Sequence, residues 1–166
     1  IPMHAVGDAV RAVAREEGVD PPRHNLHRIS RRYAAEHGRG CFTRRVMEDA
    51  RRMGLESLSI SGVRMPEEVD FLRERGDIDE ILVYVDVTDA RTRFERLRAR
   101  GEARDPNTFE QFEEQDEAEE EQFHIEGAIA RADVTVNNDG ALEDFHRNIE
   151  DKLVQAFLEC TEPTED

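Results

Sequence analysis

The chain has 166 residues and a formal net charge of −16, with 37% charged and 37% hydrophobic residues. This acidity, with a single lysine, Lys152, and no tryptophan, argues against a protein that binds nucleic acid or an anionic membrane, because both are negatively charged. Acidic residues occur in almost every predicted helix, which predicts a strongly hydrated, halophilic surface around one folded domain.

The first half of the chain predicts two short strands separated by three helices. Residues 1–6 are apolar and extended, and Gly7 and Asp8 begin a helix with hydrophobic residues at helical spacing. Asn25 is the predicted N-cap of the second helix, because its side chain can accept hydrogen bonds from the first turn. The remaining predictions are a third helix over about 41–54, a strand over 57–61 and a helix over 66–76 that begins at Pro66.

The second half predicts two more strands, each followed by a helix. Residues 81–87 are almost continuously apolar, which is typical of a parallel strand covered on both faces. Thr108 and Gln111 predict a capping box at the start of an acidic helix. The other elements are a helix after Thr88 and Asp89, a strand over 133–137, a long helix over 141–159 and a frayed tail over 160–166. Alternating strands and helices predict a three-layer α/β fold with a mostly parallel sheet.

Polar residues follow each predicted strand. Because the carboxyl ends of parallel strands meet at one edge of a sheet, we expect these residues to form one ligand-binding rim. Arginine in two of the clusters predicts an anionic ligand, since its guanidinium binds phosphate through two hydrogen bonds. For Asp8 and Asp139 a plain helix cap is an open alternative. The clusters are Gly7, Asp8 and Arg11; Ser61, Gly62 and Arg64; Asp86, Thr88 and Asp89; and Asn137, Asn138 and Asp139.

Four segments, in their order and spacing, resemble archaeal P-loop ATPases related to dephospho-CoA kinase and to nucleoside-monophosphate kinases. They are GDAVRAVAREEG, SGVRMPEEVDFLRE, RLRARGEARDPNTFEQFEEQDEAE and IARADVTVNNDGALEDF. The resemblance runs from Ile1 to about Leu153. It implies one kinase-like α/β domain over 1–159 with a lid-like helical insert over about 96–124.

The resemblance also implies a reaction and a set of site residues. ATP with Mg²⁺ would donate a phosphoryl group to a small phosphorylated acceptor, a nucleotide or a precursor of coenzyme A. The implied residues are Gly7, Asp8 and Arg11 at the acceptor, Gly62 and Arg64 beside the phosphates, Arg96, Arg100 and Arg104 as catalytic lid arginines, and Asn137 and Asn138 near the base of the nucleotide.

The chain departs from the family pattern in two ways. No GxxxxGK[ST] phosphate loop occurs in the 166 residues, and Ser61 stands where relatives carry an Asp that helps hold magnesium. In the family's sheet the first strand lies between the strands predicted at 57–61 and 81–87, which must otherwise pair directly or leave a gap. We expect a truncated kinase with weak or no catalysis. The open alternative is a non-catalytic paralogue that binds a nucleotide or a partner protein at the same rim.

A zinc site is the main competing chemistry. His24 and His27 are three residues apart, and His37 and Cys41 are four apart, which suits ligands on one helix. No carboxylate second shell accompanies them, and the acidic stretch 110–121 lacks a calcium-loop pattern, so we predict no metal bound by protein ligands alone. No secretory signal and no apolar run of about 20 residues is found, so we expect a cytoplasmic protein. The phosphate acceptor and the oligomeric state are left open.

Overall fold

Two separate pairs of parallel strands organise the protein, which we describe from a computed structural model over residues 1–19, 23–102 and 105–161. The chain divides into an N-terminal unit, Ile1–Glu74, and a C-terminal unit, Arg75–Asp166. Each unit combines one strand pair with helices. The fold is therefore α/β with short parallel strands, compatible with the expected three-layer architecture, while one domain over 1–159 stays a prediction.

The N-terminal unit contains two strands and four helices. They are β1 (Met3–Ala5), α1 (Val6–Glu16), α2 (Arg23–His37), α3 (Cys41–Arg52), β2 (Ser59–Ser61) and α4 (Pro66–Arg73). The strands run parallel, with Met3 opposite Ser59 and Ala5 opposite Ser61. The predicted start of α4 at Pro66 is confirmed. Asn25 is not the N-cap of α2, because that helix already begins at Arg23.

Helix α1 supplies most of the core of this unit. Val10, Val13 and Ala14 recur at helical spacing, and the last two are fully buried. They pack with Ile29 of α2 and Val46 of α3, both of which are also buried. Each buried valine stabilises the fold by roughly 1.5–3 kcal/mol relative to an exposed one. This packing fixes the direction in which α1 leaves β1.

The C-terminal unit contains two strands and four helices among its described residues. They are β3 (Val83–Asp86), α5 (Ala90–Arg100), α6 (Phe109–Phe123), α7 (Ile125–Ile129), β4 (Val134–Asn137) and α8 (Leu142–Thr161). The strands run parallel, with Val83 opposite Val134 and Asp86 opposite Asn137. Sequence reasoning missed the short helix α7. Residues beyond Thr161 in the predicted tail lie outside the described residues.

The two strands of this unit are buried to different degrees. Val136 of β4 is fully buried and Val134 nearly so, while Phe94 and Phe112 of the neighbouring helices are also buried, with ring centroids 6.0 Å apart. On β3, however, Val85 is 44% exposed. The prediction that 81–87 is covered on both faces is therefore wrong at Val85, whose side chain is only partly covered.

Side chains of α8 form hydrogen bonds with the backbone edge of β4 that faces away from β3. Lys152 donates a hydrogen bond from Nζ to the carbonyl of Thr135, and Asn148 donates from Nδ2 to the carbonyl of Asn137 at 3.5 Å. Both carbonyls point away from β3, because alternate residues of β4 face that strand. A lysine at a strand edge discourages pairing with another chain. None of the described helices is long and apolar enough to span a membrane.

The helix starts in the C-terminal unit follow the sequence signals closely. Asp89 is the N-cap of α5 and accepts hydrogen bonds from the amides of Arg91 and Thr92. Thr108 caps α6 through its hydroxyl, which accepts from the amide of Gln111 at 3.2 Å. The reciprocal bond of the predicted capping box is shifted by one residue, since the Gln111 side chain accepts from the amide at 107.

Candidate functional site

In the N-terminal unit the ends of both strands carry predicted site residues. Ala5 and Ser61 are paired as the last residues of β1 and β2. Gly7 and Asp8 follow Ala5 within the first turn of α1, and Gly62 follows Ser61 directly. Parallel pairing therefore brings the first two polar clusters to the same end of this sheet, while one rim shared by all four clusters stays a prediction.

Arg11 folds back towards the start of α1. Its Nε donates to Asp8 Oδ1 at 3.1 Å, and a terminal nitrogen donates to the same oxygen. A Cβ at Gly7 would lie 3.4 Å from another terminal nitrogen of Arg11, so glycine leaves room for this guanidinium. Asp8 is not the helix cap, because Ala5 occupies that position. Exposed ion pairs contribute little to stability, so an anionic ligand can compete with Asp8 for Arg11 at small cost.

The loop after β2 has an open, glycine-lined surface. Gly62 has a φ of 83°, in the left-handed region that glycine adopts without strain. Apart from Gly62 and its two chain neighbours, no atom of the described residues lies within 4 Å of the place where a Cβ of Gly62 would stand, so a ligand can approach the backbone closely. Gly62 and Arg64 are both exposed. These properties suit the predicted position of both residues beside phosphate groups.

The carboxylate of Glu68 fixes the loop after β2 by accepting hydrogen bonds from its backbone. Its Oε2 accepts hydrogen bonds from the amides of Arg64 at 2.8 Å and Met65 at 3.0 Å, and its Oε1 accepts from the hydroxyl of Thr43 at 2.5 Å. Glu68 is only 1% exposed and Thr43 is fully buried. Sequence reasoning missed both residues. The available signal was Glu68 at the third position of a helix, where it caps the preceding amide.

In the C-terminal unit the ends of β3 and β4 are joined by hydrogen bonds. Asp86 and Asn137 are paired as the last strand residues, and the amide of Asn138 donates to the carbonyl of Asp86 at 2.7 Å. The Asp86 carboxylate accepts from the Tyr84 hydroxyl at 3.1 Å and from the Thr88 hydroxyl at 3.3 Å. The third and fourth polar clusters of the sequence therefore lie together at the end of this sheet.

Asp139 is the most heavily bonded carboxylate of this rim. It accepts from the amide and hydroxyl of Thr88 at 2.8 and 3.0 Å and from Asn137 Nδ2 at 2.6 Å. The hydrogen bond from Asn137, followed by those from Thr88, lowers the pKa of Asp139 below its ordinary value. The alternative that Asp139 caps α8 is wrong, because that helix begins later, at Leu142. The carboxylate instead accepts hydrogen bonds from Thr88, after β3, and from Asn137, at the end of β4.

Arg96 braces the turn after β4. Its guanidinium donates to the backbone carbonyl of Asn138, to that of Asp139 at 3.3 Å and to that of Gly140 at 3.2 Å. The sequence interpretation treats Arg96 as a catalytic lid arginine, and that role stays a prediction. The contacts show that Arg96 holds the turn for which the family resemblance predicts binding of the nucleotide base.

Arg100 lies at the end of α5 and is tied to the following loop. It donates to Asp105 Oδ1 at 2.5 Å and lies 3.2 Å from Glu102 Oε1. The hydrogen bond to Asp105 raises the pKa of Arg100 above its ordinary value. The Asp105 side chain is 6% exposed, whereas that of Arg100 is 44% exposed. Arg104, the third predicted lid arginine, lies outside the described residues.

Of the two predicted zinc-ligand spacings, that of His37 and Cys41 does not lie on one helix. His37 ends α2 and Cys41 begins α3, and two glycines with positive φ, Gly38 and Gly40, separate them. The two side chains therefore do not share one helix face, and burial raises the pKa of the Cys41 thiol. The side chain of His24 is not described. Among the described side chains, no three His, Cys, Asp or Glu residues are grouped as metal ligands.

Several archaeal proteins are similar to this chain over most of its length. A UPF0200 protein of Thermococcus kodakarensis is 34% identical over 159 residues, which are 95% of this chain and 85% of the relative. A UPF0200 protein of Methanopyrus kandleri is 38% identical over 143 residues, 84% of this chain and 69% of the relative. A UPF0200/UPF0201 protein of Archaeoglobus fulgidus is 27% identical over 93% of this chain and 48% of the relative. No family model matches the chain. The identity and coverage of these relatives show that the chain belongs to the UPF0200 family.

Proposed function

We propose that this protein binds a nucleotide and a small phosphorylated acceptor at the carboxyl ends of its parallel strands and serves phosphoryl transfer from ATP. The observation that carries the proposal is the joined end of β3 and β4. There Asn137, Asn138 and Asp139 form a hydrogen-bonded turn that is held by Thr88 and braced by Arg96. A fixed turn with amide side chains at the end of a strand suits recognition of a nucleotide base, since ligands of α/β sheets bind there.

The N-terminal unit supplies groups suited to the phosphorylated acceptor. Arg11 forms an exposed ion pair with Asp8, and Arg64 is exposed beside the open backbone of Gly62. Arginine binds phosphate oxygens through two parallel hydrogen bonds. Phosphoryl transfer depends mainly on positioning and on neutralising charge, and these residues provide both for the acceptor.

Magnesium has no complete site among the described side chains. Ser61 lacks the carboxylate that the family resemblance leads us to expect, and no three acidic, histidine or cysteine groups are clustered. Magnesium in nucleotide sites is held largely by water and phosphate oxygens, with one or two carboxylates. We therefore assign no step to a metal that is held by protein ligands alone.

A second candidate function is non-catalytic binding of the same class of ligand. Ser61 favours it, because it stands where the family resemblance places an aspartate that helps hold magnesium with the nucleotide. In that case the rim recognises the nucleotide and no phosphoryl group is transferred.

Isothermal titration calorimetry with AMP and ATP tests the proposal. The chain is compared with an Arg64→Ala variant and with a matched control, Arg52→Ala. Arg52 is also an exposed arginine of the N-terminal unit, but its partners are Glu48 and Asp49 on its own helix. We expect Arg64→Ala to weaken AMP binding by about tenfold or more, the effect of losing a charge-assisted hydrogen bond, and Arg52→Ala to leave it unchanged.

A version extended at the N terminus with a strand, a glycine-rich phosphate loop and a helix separates the two functions. Transfer or hydrolysis of the ATP γ-phosphate by this version supports the kinase. Binding of ATP without turnover supports the non-catalytic protein. If neither version binds AMP or ATP, the proposed function is wrong in both forms.

A further inference from the structure

The buried contact between Glu68 and Thr43 connects three parts of the N-terminal unit. Thr43 lies on α3, Glu68 lies on α4, and the two amides that Glu68 accepts from belong to Arg64 and Met65 in the loop after β2. Gly40, just before α3, would place a Cβ 3.4 Å from Cγ of Glu68. Glycine at that position lets the start of α3 approach the Glu68 side chain.

These contacts exceed what a helix cap requires. In a capping box, a Glu at the third helical position accepts from a single amide, that of the N-cap residue. Here the carboxylate also accepts from the amide of Arg64 and from the hydroxyl of Thr43, and it is 1% exposed. Burying a carboxylate costs free energy unless it is fully hydrogen-bonded, and three donors meet that requirement. The arrangement fixes the backbone of the residue whose side chain is assigned to phosphate.

We propose that Glu68, locked by Thr43, is a positioning residue that presets the Gly62–Arg64 loop for a phosphorylated ligand. This inference rests on the proposed function, because it concerns the same loop. Because the amides of Arg64 and Met65 already donate hydrogen bonds to Glu68, the ligand contacts the open backbone at Gly62 and the exposed side chain of Arg64 instead. Fixing the loop before binding lowers the entropy lost when the ligand is bound.

Replacing the charged Glu68 by neutral glutamine distinguishes a positioning role from an electrostatic role. A negative charge beneath a phosphate-binding loop repels the ligand, so Glu68 helps binding only through its geometry. A Glu68→Gln variant keeps the shape, since its amide oxygen can accept from both backbone amides and its nitrogen can donate to Thr43 Oγ1. We therefore expect Glu68→Gln to bind AMP at least as tightly as the unmodified chain.

Thr43 provides the test variant, because its substitution leaves Glu68 in place. Thr43→Val keeps the volume but removes the hydroxyl, and Thr43→Ser keeps the hydroxyl. By calorimetry with AMP, we expect Thr43→Val to bind about tenfold more weakly, the effect of losing one hydrogen bond to a charged group. We expect Thr43→Ser to bind as the unmodified chain does. By nuclear magnetic resonance, the amide protons of Arg64 and Met65 exchange faster in Thr43→Val.

Val46→Ala is the control for loss of stability alone. Val46 lies on the same helix as Thr43 and is 4% exposed, but it packs in the hydrophobic core. Its truncation lowers the unfolding free energy, and we expect AMP affinity to be unchanged under conditions in which the variant stays folded. A loss of affinity in Val46→Ala equal to that in Thr43→Val would show that stability, and not the loop, controls binding, and would overturn the inference.

The remaining outcomes separate this inference from the proposed function. If the unmodified chain binds AMP and Thr43→Val binds equally well, the positioning role is wrong while the proposed function stands. Unchanged amide exchange at Arg64 and Met65 in Thr43→Val also overturns the positioning role. If the unmodified chain binds neither AMP nor ATP, the proposed function fails and the inference fails with it.

Discussion

Asp139 joins the ends of β3 and β4 by accepting hydrogen bonds from both the amide and the hydroxyl of Thr88, a residue 51 positions earlier in the chain. The same carboxylate accepts from the side chain of Asn137, whose own oxygen accepts from the amide of Asp139 at 3.0 Å. A single acidic side chain therefore connects the two strand ends that carry the predicted base-binding residues. Its ionisation links the shape of this rim to pH.

Replacement of Asp139 by Asn is expected to destabilise the protein in a pH-dependent way. The folded-state pKa of Asp139 lies below its ordinary value of 3.8, so its contribution to stability is present above that pH and is lost as the pH falls through the folded-state pKa. Urea unfolding at neutral pH and at pH values stepped downward from 3.8 measures this. The difference in unfolding free energy between the chain and Asp139→Asn should be greater at neutral pH and should decrease as the pH falls below 3.8.

Asp151→Asn is the control for this titration, because Asp151 is an exposed carboxylate of α8. It should change the unfolding free energy little at either pH. A stability difference for Asp139→Asn that is the same at neutral and acid pH would contradict the assigned hydrogen bonds.

Truncating a valine to alanine should lower the unfolding free energy clearly on β4 and hardly at all on β3. Val136 is fully buried on β4, and Val136→Ala should lower the unfolding free energy by about 2 kcal/mol through lost burial and a cavity. Val85 on β3 is 44% exposed, and Val85→Ala should change it by less than about 0.5 kcal/mol. Denaturant unfolding of both variants checks this. Equal losses at the two sites would mean that β3 is covered on both faces, as the sequence alone suggested.

Removal of the only lysine should expose the outer edge of β4. In Lys152→Met the hydrogen bond to the carbonyl of Thr135 is lost, while most of the aliphatic side chain is kept. An open strand edge pairs readily with other chains, so we expect concentration-dependent association by size-exclusion chromatography with light scattering. Arg147→Met, which removes a positive charge from the same helix but whose partner is Asp144, should leave the elution unchanged. Identical behaviour of the two variants would show that Lys152 does not protect the edge.

Local signals in the sequence predicted where helices start and strands end more accurately than they predicted which side chains are buried. Pro66, Asp89 and Thr108 act through the chemistry of one helix turn, so their residue types are sufficient to place α4, α5 and α6. The exposure of Val85 depends on which elements pack over β3, and an apolar run does not contain that information. The short helix α7 was missed because five residues are too few for a helical period to be recognised.

The candidate site was predicted where it depends on strand order and missed where it depends on side-chain geometry. The clusters at Asp8 and Gly62, and those at Asp86 and Asn137, lie at paired strand ends, since parallel pairing alone dictates this. The contact between Glu68 and Thr43 joins residues 25 positions apart and follows from helix packing, which no local pattern encodes. The bonds from Arg96 to the turn after β4 are similarly long-range.

A titration of the isotopically labelled chain with AMP and then ATP, followed by amide chemical shifts, tests the central claim most directly. The account predicts that AMP shifts the amides of residues 7–11 and 62–64, and that ATP adds shifts at Thr88 and at residues 137–140. Shifts confined to other segments, such as the acidic helix α6, or no shifts with either ligand at millimolar concentration would contradict the claim that the strand ends bind phosphorylated compounds.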